Sequence, residues 1–421
     1  MKTFKFKIPS KTQSLLKKIG QLADERGEAA YTVGGFVRDL FLRRPGMDID
    51  ITVEGDGLTF AEKLAKMTGS EVEAFTQFGT SIVVIPGFGK LDVATARTES
   101  YAKPGALPKV AKSGIMQDLY RRDFTINAMA LSLSPGYFLK LLDPFGGLED
   151  LKKGRVRALH EKSFIDDPTR IFRAVRFEQR FKTRIEEKTQ KWLLDAVRQD
   201  YIRKVSGERL RNELRLIFQE PHPERAVLRL GELGVLPHIH SGLGVPADAK
   251  KALPHIAAAM DFFRKARIVL DEEEMVWFQA LLEKPSDKEA EALSKRLMLS
   301  RLEHKVMTQC AKVYPAIYKE LAPDDVTVSR MYKLLCPLRP EVQCFLMAAS
   351  PSPALRRKLA AYFLKVQHSK PWIRGRDLQA IGIPPGFRYS FILLEALNAQ
   401  LDGKFKNRGQ ALDWVKKTFV S

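Results

Sequence analysis

Strand-type alternation is confined to the first third of this 421-residue chain, and that asymmetry limits its possible folds more than any other feature. An amphipathic pattern over Ser10 to Arg26 predicts a helix, and apolar or alternating runs predict strands at Ala30–Val33, Asp48–Val53, Ser81–Ile85 and Leu91–Thr95. Between the last two, Pro86-Gly87-Phe88-Gly89 reads as a hairpin turn that lays SIVVI beside LDVAT in one sheet. A further short strand over Ala128–Leu133 ends at Ser134-Pro135-Gly136. From Asp143 onward the β signals fade, and helical patterns follow one another, broken at Glu220-Pro221-His222-Pro223, Leu236-Pro237, Lys284-Pro285-Ser286 and Ile383-Pro384-Pro385-Gly386. The fold class read from this is α+β: an α/β head with a mixed sheet, then an elongated all-α remainder. Boundaries are placed at 1–139, 140–218, 219–335 and 336–421, with no repeat of fixed period and no low-complexity segment.

A chain of this length has apolar residues enough for several real cores. Its three cysteines, Cys310, Cys336 and Cys344, form no C-x-x-C pair and are too few for a disulfide framework. A cytoplasmic protein is expected, since no apolar run is long enough to span a membrane and MKTFKFKIPS lacks the apolar core of a signal peptide. Net charge is +20, which favours a polyanionic partner. The excess is local: Leu151 to Arg215 carries 19 basic and 10 acidic residues, and Ala354 to Ser421 carries 13 and 4. Both stretches suit contact with a phosphate backbone.

The most informative segment is Met47-Asp48-Ile49-Asp50-Ile51-Thr52-Val53. In a strand, Asp48 and Asp50 share one face about 7 Å apart, while Ile49 and Ile51 point into the core. Two neighbouring carboxylates repel unless a cation bridges them, and hard oxygen ligands suit Mg²⁺. A third carboxylate, Asp92, sits in the apolar strand LDVAT, where an unpaired charge is expensive to bury. Asp48, Asp50 and Asp92 converging from neighbouring strands could hold two metals for in-line phosphoryl transfer. Upstream, Tyr31-Thr32-Val33-Gly34-Gly35-Phe36-Val37-Arg38-Asp39 takes a strand through a glycine pair into a helix. Gly34 and Gly35 thereby expose backbone N–H groups suited to a triphosphate, and Arg38 adds a charged fork.

Gly-Gly-x-Val-Arg-Asp, followed after eight residues by Asp-x-Asp, resembles the class II tRNA nucleotidyltransferase and bacterial poly(A) polymerase family, within the DNA polymerase β-like nucleotidyltransferase superfamily. The resemblance is dense from Tyr31 to Arg180. It implies a nucleotidyltransferase head at 1–139, a base-recognising neck at 140–218, a helical body at 219–335 and a tRNA-binding tail at 336–421. Leu119-Tyr120-Arg121-Arg122-Asp123-Phe124-Thr125-Ile126-Asn127-Ala128 is similar to the family's RRDFTxNA signature, which implies phosphate contact through Arg122 and ribose or phosphate contact through Asp123 and Asn127. Asp143-Pro144-Phe145-Gly146-Gly147-Leu148 resembles the next motif, taken as structural.

The third cluster is Asp166-Asp167-Pro168-Thr169-Arg170-Ile171-Phe172-Arg173-Ala174-Val175-Arg176. Asp167 and Arg170 lie three apart, hence on one helical face, with Pro168 in the first turn. Adenine and cytosine both present an amino donor beside a ring-nitrogen acceptor, so an aspartate and an arginine can bind either. Guanine and uracil present the opposite pattern and leave both groups mismatched. This matches the family's EDxxR motif, except that Asp166 stands where the family has Glu. Arg173, Arg176 and Arg180 continue a basic stripe suited to triphosphate or primer phosphates.

Thr95 to Asp118, punctuated by proline and glycine, is expected to be a mobile loop beside the site. Its Arg97, Glu99, Tyr101 and Ala-Leu-Pro segment look closer to those of A-adding or poly(A)-type relatives, which tilts the reading toward ATP, with CTP the second candidate substrate. His238-x-His240 lacks partners at metal-binding spacing, and no His-Asp phosphohydrolase signature is evident. The C-terminal segment resembles the tail of A-adding members, where Trp372, Phe387 and Tyr389 would suit the tRNA elbow. The resemblance thus implies Mg²⁺-dependent, template-independent addition to the 3′ end of tRNA, of the A-adding or CCA-adding kind. The alternatives are a poly(A) polymerase and a non-catalytic RNA-binding protein of the same fold. No membrane partner is expected, and no oligomeric state is read from the pattern.

Overall fold

The computed structural model describes residues 2–44, 48–75, 79–282, 286–366 and 369–420. Met47 and the Lys284-Pro285 breaker lie outside the described residues. The chain divides into two compact units, residues 1–239 and 240–421.

The first unit opens with β1 (Lys2–Thr3), α1 (Ser10–Glu25), β2 (Ala29–Val33), α2 (Gly35–Phe41), β3 (Ile49–Glu54) and α3 (Gly57–Thr68). There follow β4 (Glu71–Phe75), β5 (Thr80–Ile85), β6 (Gly89–Thr95), β7 (Arg97–Ser100), β8 (Lys109–Lys112), α4 (Ile115–Tyr120), β9 (Ala130–Ser132) and β10 (Lys140–Leu142). Eight strands form one sheet in the order β1-β10-β9-β2-β3-β6-β5-β4. The pair β3 and β6 is parallel and the other pairs are antiparallel, so the sheet is mixed, as the sequence pattern indicates. The Pro86–Gly89 turn joins β5 to β6, with Ile85 opposite Gly89.

Alternation decides which side chains reach the core. Ile49, Ile51 and Val53 of β3 and Leu91 and Val93 of β6 are buried together with Leu16 and Ile19 of α1 and Phe60 and Leu64 of α3. Each such side chain contributes roughly 1.5–3 kcal/mol by leaving water. Period two therefore commits Asp50, between Ile49 and Ile51, to the opposite face. Asp56 caps α3, its carboxylate accepting from the backbone N–H of Leu58 and Thr59.

Beyond the sheet the unit continues as α5 (Gly147–Lys152), β11 (Arg155–Val156), α6 (Ser163–Asp166), α7 (Arg170–Phe181), β12 (Arg184–Ile185), α8 (Glu187–Arg198), α9 (Gly207–Phe218), α10 (Pro223–Glu232) and α11 (Leu236–Ile239). Two features depart from the sequence reading. Thr95–Asp118 is a β7–β8 hairpin leading into α4, paired from Arg97↔Lys112 to Ser100↔Lys109. The proline and glycine that suggested a loop fall in its tip, while Thr98, Val110 and Ala111 supply the strand-forming pattern. Strand structure also persists after Asp143, as the parallel two-residue pair β11 and β12.

The second unit is helical. Phe263 and Phe363 meet edge to face at 5.0 Å between ring centres, and Ser300 and Glu303 form a reciprocal capping box at the start of helix Arg301–Val313. The three cysteines are unpaired, and Cys310 and Cys344 are buried. Towards the C-terminus Ile373, Leu378, Ile392, Ala396, Phe405, Ala411 and Val415 form a separate small core against which Trp372 and Tyr389 pack. The Tyr389 hydroxyl donates to the Ile383 carbonyl at 2.7 Å, whereas Phe387 is 93% exposed. Among the described residues no helix is long and apolar enough to cross a membrane.

Candidate active site

The parallel register of β3 and β6 sets Asp50 directly opposite Asp92, and Asp48 lies two residues ahead of Asp50 at the start of β3. Burial pushes the Asp50 carboxyl up to about 6; Arg122 and Arg38 oppose the rise, and Asp92 and Asp48 add to it. Asp92 is exposed, not buried as its apolar strand suggested, because alternation turns it away from Leu91 and Val93; its carboxyl is raised as well, by partial desolvation first and then by Asp48. The three carboxylates thus act on one another electrostatically. They do not form a preassembled three-ligand centre: among the described residues no group of three His, Cys, Asp or Glu side chains could hold a metal. Asp48 and Asp50 line the cavity described below, and Asp92 does not, because it stands one strand farther from the β2–α2 turn that forms the cavity wall.

At that turn Gly34 takes φ +67°, outside the range side chains usually adopt. A Cβ there would come within 2.9 Å of Arg122 Nη1 and 3.4 Å of Asp50 Oδ2. Glycine therefore keeps open a space bounded by one cation and one carboxylate oxygen. Two carboxylates beside that space are the hard donor set that Mg²⁺ takes when phosphate oxygens and water complete its shell.

A cavity of about 930 Å³ opens over these residues, walled by Gly34, Gly35, Arg38, Arg122, Asp123, Asn127, Asp167, Arg170, Arg173 and Arg176 among others. Three of its arginines, Arg38, Arg122 and Arg173, are held by carboxylate or amide partners. Arg38 donates to Asn127 Oδ1 at 2.6 Å and to Asp39, and lies over the rings of Phe177 and Phe181. Asn127 donates to Asp123 Oδ1 at 3.0 Å, and Arg173 donates to Asp123 Oδ2 at 2.8 Å. Burial alone would raise the Asp123 carboxyl, but the Arg173 charge, the Asn127 amide and Arg170 bring it down to about 2. Arg122 is gripped through Nε and Nη2 by the fully buried Asp118. Asp123 and Asn127, expected at the ribose or a phosphate, line the cavity while bracing Arg38 and Arg173.

Asp167 and Arg170 line the same cavity but do not share a helix. Asp167 follows α6 with φ −135° and ψ 94°, and α7 starts at Arg170. Pro168 disfavours helical geometry in the residue before it, which breaks the single helix the three-residue spacing suggested. The Asp167 carboxylate instead accepts from Thr169 N at 3.1 Å and Thr169 Oγ1 at 2.7 Å, organising the entry to α7. Arg170 is buried, donating from Nη1 to Ser163 Oγ at 2.8 Å and from Nη2 to the Arg121 carbonyl at 2.7 Å. Asp166 ends α6 and does not line the cavity.

Glu99 and Tyr101 of the β7–β8 segment and Arg121 of the Arg-Arg-Asp motif also line the cavity, where Arg121 ties Asp118 to Glu99, whose Oε2 accepts from the Tyr101 hydroxyl. Two cationic groups escaped the sequence reading: Arg44, which lines the cavity and lies over the Phe181 ring, and Arg209, which reaches Asp167 from α9. Local charge density was the only signal for these two. His238 Nδ1 lies 2.8 Å from Asp200 Oδ1, and His240 Nδ1 accepts from the Gly242 N–H at 3.1 Å.

A mixed sheet that presents paired aspartates beside a glycine turn and an arginine-walled cavity defines a nucleotidyltransferase-type head with a helical neck. Residues 30–157 match the poly(A) polymerase head domain, and residues 183–244 match the probable RNA- and SrmB-binding site of polymerase A. The chain is 32% identical over 409 residues to an A-adding tRNA nucleotidyltransferase of Halalkalibacterium halodurans, covering 96% of this chain and 92% of that protein. This chain belongs to the class II tRNA nucleotidyltransferase and poly(A) polymerase family. It is 38% identical to an A-adding tRNA nucleotidyltransferase of Geobacter sulfurreducens over 95% of its own length, but it spans only 46% of that relative. A solved Thermotoga maritima CCA-adding enzyme complexed with tRNA superposes with a TM-score of 0.86 at 32% identity, covering 99% of this chain and 100% of that one.

Proposed function

We propose that this chain adds nucleotides to the 3′ end of tRNA without a template, with ATP as the principal substrate and AMP as the unit added. The observation that carries the proposal is the presence of Asp48, Asp50, the Gly34 turn, the braced arginines and the Asp167–Arg170 pair in one cavity. The names of the two relatives, both A-adding, favour ATP over CTP.

In this reading the tRNA 3′-hydroxyl gives up its proton to solvent and its oxygen bonds to the α-phosphorus of ATP as the bond to the α,β-bridging oxygen breaks, and pyrophosphate leaves with the electron pair. Asp48 and Asp50 would hold Mg²⁺, which when bound supplies activation of the hydroxyl and neutralisation of the phosphates. Arg38, Arg122 and Arg173 fix the triphosphate, and their buried carboxylate and amide partners keep the forks in place before substrate arrives. Arg176 extends the cationic wall, and Asp92 adds negative charge beside Asp50. Asp167 accepts from the amino group of adenine while Arg170 donates to its ring nitrogen. Asp166 stands at the end of α6 as a neighbour of this pair. The head at 1–139 and neck at 140–218 carry these roles, with the body at 219–335 and the tail at 336–421 placing the tRNA.

The test supplies ATP or CTP, singly labelled, with tRNA lacking CCA, tRNA lacking only the last A, complete tRNA and an unrelated RNA. Addition of one AMP to tRNA lacking the last A is expected. CMP addition to tRNA lacking CCA would make the chain CCA-adding, long tails on any RNA would make it a poly(A) polymerase, and no addition would leave a binding protein.

A further inference from the structure

The base-reading pair is tied to the β7–β8 hairpin at two points. The first runs through Arg209 of α9, whose Nη2 donates to Asp167 Oδ1 at 2.7 Å while its Nη1 donates to the Gly105 carbonyl at the hairpin tip, at 3.0 Å. The second runs through Arg121, whose guanidinium is held by Glu99 of β7 at 2.8 Å and whose carbonyl accepts from Arg170. Asp167 and Arg170 are therefore each fastened to the same hairpin from opposite ends.

The tip contact is close. Gly105 takes φ +74°, and a Cβ there would lie 3.1 Å from the Lys204 carbonyl oxygen and 3.3 Å from Val205 N, so a side chain would strain the tip and press it off the chain just ahead of α9. The Asp167 contact is directional. Oδ1 already accepts from Thr169 N, Thr169 Oγ1 and Arg209 Nη2, which uses its acceptor capacity and leaves Oδ2 for a base.

We infer that Arg209 is a positioning residue for nucleotide selection: it spans from the hairpin tip to Asp167 and turns that carboxylate so that one oxygen is spent on the protein and the other reads the amino group of the base. The inference rests on the proposed base-reading role of Asp167 and Arg170. A guanidinium suits the task because its planar fork reaches two acceptors at once, whereas an ammonium is a single point charge. Without the tether Asp167 can turn away from the base, so the hydrogen bond that favours adenine is lost while guanine, which has no donor at that position, loses nothing comparable.

The experiment compares kcat/KM for ATP and for GTP, with tRNA lacking its last A, in the full chain and in R209Q, R209K, G105V and D167A, with the thermal unfolding midpoint of each. In R209Q the ATP-over-GTP ratio is expected to fall roughly tenfold, the loss of one charge-assisted hydrogen bond, mainly through the KM for ATP. G105V leaves Arg209 intact but drives the tip away, and a fall in the same direction is expected; it decides the matter if R209Q does not fold. A lowered midpoint with the ratio unchanged in R209Q and G105V, while D167A relaxes it, would overturn the tether and leave base reading standing. Full selectivity in R209K would overturn it as well. An unchanged ratio in D167A would instead remove the base-reading assignment itself.

Discussion

Asp50 and Asp92 stand opposite one another across the parallel pair β3 and β6, and of the two only Asp50 lines the cavity. The D50N substitution is therefore expected to lower nucleotide incorporation by at least a thousandfold while tRNA affinity stays within about twofold, because the metal-ion contribution to the transition state is lost. The D92N loss should be smaller. Single-turnover incorporation together with filter binding of labelled tRNA checks both, and near-normal turnover in D50N would end the metal-dependent proposal.

Gly34 offers a separate handle on the triphosphate. G34A places a methyl 2.9 Å from Arg122 Nη1, so the fork must shift against its Asp118 partner and the cost falls on the phosphate cradle. The φ of +67° adds strain of about 1 kcal/mol or more. At least a tenfold rise in the Kd for ATP is expected with tRNA affinity unaltered, and isothermal titration with ATP reads it directly.

The head was legible because its signals are local. The alternation that buries Ile49, Ile51, Leu91 and Val93 predicts both the strands and the exposed face of Asp50, and the Pro86–Gly89 turn predicts the β5–β6 pairing. What escaped depends on contacts between residues far apart in sequence. Arg209 lies 42 residues from Asp167 and 104 from Gly105, and no spacing rule relates them. The helix drawn through Asp167 and Arg170 failed for a local reason, since Pro168 outweighs the three-residue periodicity. The β7–β8 hairpin was hidden because its tip carries the breakers and its strands are only four residues each.

Asp123 links stability to pH. Its carboxyl is held at about 2, below the usual carboxylate range, by Arg173, Asn127 and Arg170 acting against burial. A depressed folded-state value contributes stability that is fully present above about pH 4, and that stability drains away as the pH falls towards 2. The contribution is on the order of 2 kcal/mol. D123N removes this acid dependence and leaves Arg173 without its ion-pair partner, so about 3 kcal/mol of stability should be lost near neutral pH. Urea midpoints at pH 7, 4 and 3 measure both effects; equal losses for wild type and D123N between pH 4 and pH 3 would contradict this account.

Arg170 donates to Ser163 and to the Arg121 carbonyl, so its fork is set before a base arrives. R170K keeps the charge but cannot make both contacts and present a donor to the base at once. Selectivity for ATP over GTP should fall by roughly 10- to 100-fold, with kcat for ATP reduced as well. Parallel assays with the four nucleoside triphosphates read this out. An R170K enzyme as selective as the wild type would place base choice elsewhere in the cavity.

The tail's two prominent aromatics call for opposite outcomes although they lie close in sequence. Trp372 packs on the small C-terminal core beside Phe405, at 5.8 Å between ring centres, so W372A should lower stability by about 3 kcal/mol. Phe387 is 93% exposed and follows the Ile383–Gly386 breaker at the start of helix Arg388–Leu401, where Arg388 adds positive charge. An exposed ring beside an arginine suits stacking against a nucleobase, worth roughly 1–3 kcal/mol per base. F387A is accordingly expected to keep its unfolding midpoint and its KM for ATP while tRNA affinity falls about tenfold or more. Gel-shift titration with whole tRNA and with an acceptor-stem minihelix separates the sources: a loss seen only with whole tRNA assigns Phe387 to the elbow, an equal loss with the minihelix assigns it to the acceptor stem, and no loss with either removes it from the tRNA contact.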